Sequence, residues 1–465
     1  MSLLIVLAAL AFLMFVAYRG YSVILFAPIA ALGAVLLTDP GLVAPMFTGL
    51  FMEKMVGFLK LYFPVFLLGA VFGKLIEISG FSKSIVAATI RVVGAQRAIL
   101  SIVLVCAVLT YGGVSLFVVV FAVYPFAAEL FRQSDIPKRL IPGTIALGAF
   151  TFTMDALPGT PQIQNIIPSS FFGTTGWAAP VLGTAGGVFI LIVGMTYLES
   201  RRRKAARAGE GYGGNLLNEP APFAGERLAH PLLAILPLVL VGVANFAFTR
   251  WIPELYGETQ SFVPSVIGTA APVVQDVSRL AAIWAVLGAL LVGILSVIAF
   301  AWRPVVASFA EGTKNAIGGA LLASMNTASE YGFGAVIAAL PGFLAVATAL
   351  QAIPNPLVNE AISVTALAGI TGSASGGMSI ALAAMADSFI ANANAAGIPM
   401  EVLHRVAAMA SGGMDTLPHN GAVITLLAVT GLSHRQSYRD IFAITVIKTL
   451  SVFVVISLFY LTGWV

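Results

Sequence analysis

Two pentapeptides carry the clearest chemistry, Met154-Asp155-Ala156-Leu157-Pro158 and Met414-Asp415-Thr416-Leu417-Pro418. Both lie among apolar and small residues, where an aspartate at the centre of a bilayer costs about 3 kcal/mol. Proline removes a backbone donor and disfavours helix in the residue before it, so a helix must break at each site. Broken backbone at membrane depth is tolerated only where protein covers it or where it lines a cavity. The half-helix that follows each break offers free N–H groups and the positive end of its dipole to an anionic oxygen. Carbonyls before the break, with Asp155 or Asp415, can hold a cation or a proton. His419, next to Pro418, has a pKa range suited to carrying a proton beside Asp415. Thr160, Gln162, Asn165, Thr416 and Asn420 are uncharged donors that either bind carboxylate and hydroxyl groups of a substrate or satisfy freed backbone.

The two breaks belong to a repeat. Gly112-Gly113-Val114-Ser115 returns as Gly376-Gly377-Met378-Ser379, Ile136-Pro137 as Ile398-Pro399, and Asp155 as Asp415, at offsets of 264, 262 and 260. Three anchors in one order specify an internal duplication far better than any one of them. The glycine pairs read as tight turns or close helix contacts.

Composition supplies the setting. Of 465 residues, 59% are hydrophobic and 9% charged, and the mean hydropathy is +0.98. A soluble domain carries about a quarter charged residues, so the chain is read as an all-α polytopic membrane protein. Disorder, nucleic-acid binding and a secreted enzyme are excluded, and the partners expected are a lipid bilayer and a small solute. Cys106 is the single cysteine, which excludes an intrachain disulfide and a multi-thiolate metal site.

Apolar segments of spanning length fall near 3–18, 21–38, 56–73, 98–111, 114–131, 176–197, 230–249, 279–301, 357–371 and 441–462. The polar stretch 199–228, with Arg201-Arg202-Arg203-Lys204 and a Gly-rich run, reads as a mobile cytoplasmic linker. Counting outward from it puts Arg19, Lys138, Arg139, Arg303, Arg435 and Arg439 inside, with Asp39, Glu254, Glu258 and Glu401 outside. Both termini then lie outside, and residues 1–198 and 229–465 cross the bilayer in opposite senses as inverted repeats. Two interrupted segments, from Lys74 to about Arg97 and from Ser324 to about Gln351, read as re-entrant helical hairpins. Their polar turns would flank the site with Ser79, Gly80, Ser329 and Gly332; interfacial amphipathic helices are the other reading.

There is no nucleotide fingerprint, no HExxH and no nucleophile–base set, so the protein is not expected to be an enzyme and no cofactor is expected. Transport would draw on an ion gradient. An anionic substrate beside two aspartates needs a proton, or a sodium ion, in compensation.

The combination of Tyr111-Gly-Gly-Val-Ser115, Ile136-Pro137, Thr153-Met-Asp-Ala-Leu-Pro-Gly-Thr-Pro-Gln-Ile-Gln-Asn165 and Ser411-Gly-Gly-Met-Asp-Thr-Leu-Pro-His-Asn-Gly421 resembles the gluconate permease family of the ion transporter superfamily. The resemblance covers nearly the whole chain. It implies a bacterial inner-membrane symporter for small hydroxycarboxylates, usually proton-coupled, that works as a homodimer by an elevator motion. Pro158-Gly-Thr-Pro161 has no histidine, and in this the sequence is similar to the branch associated with 3-hydroxybutyrate-type acids. A sodium-coupled carrier or exchanger of di- or tricarboxylates is the alternative.

Overall fold

The computed structural model describes residues 2–19, 21–94, 97–114, 116–214, 217–220, 228–263, 272–371, 373–418 and 420–465. Ser115 and the expected proton carrier His419 lie outside them. Among the described residues six helical stretches are long and apolar enough to cross a membrane: Pro40–Ile78, Pro180–Arg207, Pro231–Tyr256, Leu280–Phe300, Ala374–Ala395 and His434–Thr462. Leu37, Ile192, Leu232, Val243 and Leu295 are exposed on the helices, as a lipid-facing surface requires. The chain is a polytopic helical membrane protein. Among the described residues the one departure from all-α structure is an antiparallel ribbon that pairs Thr259–Phe262 with Val273–Asp276.

Both halves run through the same series of elements. Two helices (Ser2–Tyr18 and Val23–Thr38; Pro231–Tyr256 and Val277–Phe300) lead into a long arm helix (Met52–Ile78; Trp302–Ala339). A short helix follows (Phe81–Val93; Pro341–Gln351), and then a helical hairpin (Ala98–Tyr111 with Leu116–Gln133; Pro356–Thr371 with Ala374–Ala395). A broken helix comes next (Ile141–Ala149, Phe152–Asp155, Ile163–Phe172; Met400–Gly412, Gly413–Thr416, Gly421–Thr430), and a long final helix closes the half (Pro180–Arg207; His434–Thr462).

The hairpins are therefore not where the interruptions in hydropathy suggested. Ser79 and Gly80 form the turn between the first arm helix and Phe81–Val93, with Gly80 at φ +74°. That short helix buries Phe81, Ile85 and Val86 and exposes Lys83, Arg91 and Val92, so it is an amphipathic connector. Ser329 and Gly332 lie inside a continuous 38-residue helix, about 57 Å long at 1.5 Å per residue, which ends only before Pro341. Glycine does not break this helix because packing demands it there: a Cβ at Gly332 would press on the Phe51 carbonyl at 2.8 Å.

The first observed hairpin turns at its glycine anchor, and in the second the matching pair, Gly376 and Gly377, lies in the first turn of Ala374–Ala395. Gly113 adopts φ +95°, and a Cβ there would stand 3.2 Å from Pro161 of the first break. In the second hairpin Gly377 lies flush against the backbone of Ala368, leaving no room for a side chain.

The segment after Arg207 is not a free linker. The helix Pro180–Arg207 carries the whole basic cluster. Residues 208–214 and 217–220 then strap the ends of several helices together. Arg139 donates to both oxygens of Glu210 at 2.6 and 2.7 Å. Glu219 pairs with Arg132 at 2.6 Å and Lys138 at 2.7 Å. Lys138 also donates to the Leu217 carbonyl, and Asn218 to that of Ala428. Below this, Asp440 accepts from Tyr197, Arg201 and Arg139. The hydrogen bonds from Arg139 hold Glu210 below the usual carboxylate range. Burial pushes Glu219 up, but hydrogen bonds from Lys138, Arg132 and Tyr212 outweigh it and leave this acid lowered too. Lowered folded-state values mean that the stabilisation is present above the ordinary value of about 4.3 and is lost as pH falls through the folded ones. Acidification below about pH 4.3 should therefore accelerate amide exchange in 208–220 beyond the intrinsic change in rate. The double variant E210Q/E219Q should show the same loosening at neutral pH; unchanged exchange in that variant would remove these pairs as the fastening.

Candidate functional site

Each break follows from its local sequence. In the first, Thr151 leaves helical geometry at φ −128°, ψ −125°, Phe152–Asp155 makes one turn, and the chain runs non-helical to Gln162, the cap of Ile163–Phe172. Gly159, at φ +78°, sits against the Trp177 ring. In the second, Met400–Gly412 tightens into a 3-10 turn at Gly413–Thr416 and extends at Leu417. Helix resumes at Gly421, where the Asn420 side chain caps it by accepting from Ala422 N at 2.7 Å.

Every break is tied to the tip of its own hairpin. Gln162 donates to the carbonyls of Thr110 and Val114, and the Tyr111 hydroxyl to that of Pro158. In the second half Asp415 Oδ1 accepts from Ala374 N at 3.0 Å, at the start of Ala374–Ala395. The two halves also meet: Gln164 Nε2 donates to Asp415 Oδ2 at 3.2 Å.

Asp155 and Asp415 are both buried, but their partners differ. Asp155 Oδ2 forms an ion pair with Lys448 Nζ at 2.6 Å, and the same ammonium donates to the Phe150 carbonyl. Among the described residues Asp415 accepts from neutral donors, Ala374 N, Gln164 and Asn420, and lies in the electrostatic field of Lys448. The duplicated acids are thus chemically unequal. One is in direct ion-pair contact with a lysine contributed by the other half; the other is held by neutral hydrogen-bond donors and shares the field of that same lysine.

Arg405 and His404, absent from the sequence-based site, complete it, and Glu330 lies beside it. Arg405, fully buried, donates to the carbonyls of Asp155 and Ala178 and to Asn165 Oδ1. His404 Nδ1 meets the Thr174 hydroxyl at 2.6 Å. Glu330, on the second arm helix, lies against Gly376 near the second hairpin tip. The pair His404-Arg405 inside the otherwise small and apolar run 402–412 is a signal that marks a buried cation. Glu330 carries no such signal, because it is one polar residue in a helix with many.

Of the expected ligands, Asn165 spends its amide on the carbonyls of Thr160 and Gly176 and its oxygen on Arg405. Thr160 donates to the Thr153 carbonyl, and Thr416 meets Thr445 at 2.6 Å. Thr160, Gln162, Asn165, Thr416 and Asn420 are therefore brought to the breaks, where they secure backbone or neighbouring side chains. Ser79 and Gly80 are not drawn in: Ser79 bonds only within its own turn, to the Ile76 carbonyl and the Phe81 amide. Ser329 is buried with no hydrogen-bond partner among the described residues, and Gly332 packs on Phe51.

No family model matches the chain. It is 62% identical over 474 aligned positions, covering 100% of both chains, to a Bacillus subtilis (strain 168) protein described as an uncharacterized transporter, YxjC. The chain belongs to that transporter family. It is similar in fold to the Alcanivorax borkumensis YdaH transporter, whose crystal structure revealed an unusual topology, with a TM-score of 0.52 at 15% identity over 92% of this chain and 90% of that one. The relatives are transporters and not enzymes, in line with a site that holds paired charges and helix ends.

In this transporter the Asp155–Lys448 pair is a fully buried ionic contact between the halves. Removing one partner of a buried ion pair costs about 3–5 kcal/mol, because the other is left charged and unpaired. Lys448→Met should lower the thermal stability of the detergent-solubilised protein by that order, and the double variant K448M/D155N should recover most of it. Equal stability of the single and double variants would show that the pair is not coupled.

Proposed function

We propose that the protein is a secondary active symporter that imports a small hydroxycarboxylate, such as 3-hydroxybutyrate or gluconate, together with protons. The observation that carries the reading is the inequality of the two aspartates. With Asp155 compensated by Lys448, Asp415 is the intramembrane acid left to take up a proton when an anion arrives. The helix N-termini at Ile163 and Gly421 supply donors for the substrate carboxylate. Thr160, Gln162, Asn165, Thr416 and Asn420 shape its surroundings, chiefly by holding the broken backbone in place, and Asp155, Asp415 and His419 are the coupling set. Ser79, Gly80, Ser329 and Gly332 are left out of the proposed substrate site.

Residues 1–198 and 229–465 are read as two inverted repeats joined by 199–228, and the repeated order of elements supports this. Each hairpin, bonded to its own break, would travel with it as a transport body against the arm helices, in an elevator cycle. The working unit would be a homodimer in a bacterial inner membrane with both termini in the periplasm.

The alternative, a sodium-coupled carrier of di- or tricarboxylates, calls for cations free to meet further carboxylates. Arg405 stands at the site, but its donors are spent on Ala178, Asp155 and Asn165. That engagement favours a monocarboxylate.

Uptake of labelled 3-hydroxybutyrate and gluconate into proteoliposomes, under an imposed proton gradient and separately a sodium gradient, tests the reading. Proton-driven accumulation of either acid is expected, with Asp415→Asn reduced to exchange without accumulation. Accumulation driven only by sodium, or none of either acid, would overturn it.

A further inference from the structure

Glu330 stands outside the mechanism just described and has surroundings that call for an occupant. Its side chain is buried, with the residue 4% exposed, and Oε2 has no hydrogen-bond partner among the described residues. The carboxylate lies against Gly376, in the first turn of Ala374–Ala395, so closely that a Cβ at 376 would collide with Oε2. The capping Ser373 bonds the Gly376 amide at 3.1 Å and also meets Glu330. Asp415 Oδ1 occupies the same helix end through Ala374 N. Gln164, whose amide nitrogen reaches Asp415, has a buried Oε1 that is likewise unpartnered among the described residues.

Two carboxylates thus share one helix N-terminus. That end supplies about half a positive charge, which can offset one carboxylate in part and cannot offset two. The nearest cation acting on the cluster is Lys448, which reaches Asp415 electrostatically but is already paired with Asp155, and Lys74 of the first arm helix pairs with Glu77 and packs at Gly312, more than four helical turns from Glu330. Glu53, Lys54 and Lys60 of the first arm helix are exposed, as is Asp387 of the hairpin, and Tyr331 stacks with Phe58 and Phe171. Burying an uncompensated carboxylate is prohibitive, so a positive species must join the cluster.

We propose that Glu330, with Asp415 and Gln164 at the start of Ala374–Ala395, forms a second proton-binding site of this transporter. One proton is shared by the two carboxylates while the arm helix and hairpin tip are in contact. The site itself is independent of the transport reading, but its consequence rests on that reading. If the hairpin moves against the arm helix, Glu330 and Asp415 separate, so protonation is linked to movement.

The test reads the proton directly, without substrate. Infrared spectra of the purified transporter in lipid bilayers should show a protonated carboxylic C=O band that titrates with pH and is absent from Glu330→Gln. Glu360→Gln, which removes another buried acid, assigns any second band. In Asp415→Asn only one carboxylate remains at the helix end, so the Glu330 band should be lost at neutral pH; this variant carries the test if Glu330→Gln fails to fold. In proteoliposomes Glu330→Gln should keep substrate exchange and lose about tenfold in gradient-driven accumulation, within the usual range of coupling between two bound species. A band unchanged in both variants would overturn the site, and a band displaced by sodium at constant pH would overturn the proton as its occupant. Absence of uptake by the parent protein, with the band behaving as described, would sink the symport reading and leave this site standing.

Discussion

Bare backbone inside an apolar bundle is the constraint on which the rest of this structure depends. Two helices break at Asp-x-Leu-Pro, and each break frees carbonyls that no water reaches at membrane depth. The polar side chains around the first break are largely spent on this debt. Lys448 serves Phe150, Arg405 serves Asp155 and Ala178, Asn165 serves Thr160 and Gly176, Tyr111 serves Pro158, and Gln162 serves Thr110 and Val114. The consequence is a frame in which these side chains are engaged in holding the broken backbone.

The duplication is faithful in backbone and unfaithful in charge. Asp155 and Asp415 occupy matching turns, yet only the first has a lysine, and that lysine comes from the final helix of the second half. An ion pair across the halves fixes their relation at one point, while the other acid is held by neutral hydrogen-bond donors in the field of the same lysine. Two identical acids in identical settings would not differ in their partners in this way. The separation arises because Lys448 has no counterpart in Pro180–Arg207, whose basic residues all cluster at its far end.

At that far end, ionic contacts take over the holding role. Glu210, Glu219 and Asp440 gather Arg132, Lys138, Arg139 and Arg201 from segments remote in sequence. Their exposure ranges from the partly exposed Arg139–Glu210 pair to pairs on the buried Lys138 and Asp440, and the exposed ones contribute little singly and more as a network. The segment thus fastens together the ends of the first hairpin, the broken helices and the final helices.

Composition, the repeated Asp-x-Leu-Pro breaks and the recurring glycine pairs are local properties, so the polytopic helical class, the duplication and the position of both breaks are legible in the residues alone. The first glycine pair marks a hairpin turn and the second falls one helical turn past one, although the charged interruptions at Lys74–Arg97 and Ser324–Gln351 point elsewhere. Hydropathy cannot tell a re-entrant turn from an amphipathic connector or a long arm helix, because all three mix polar residues with glycine. Only packing separates them, through Phe51 against Gly332 and Ala368 against Gly377. Partnership is likewise a property of the folded chain. Asp155 with Lys448, Asn165 with Arg405, and Glu330 with Gly376 join residues 293, 240 and 46 positions apart. A sequence can state that an acid is buried, but which charge answers it depends on how the helices pass one another.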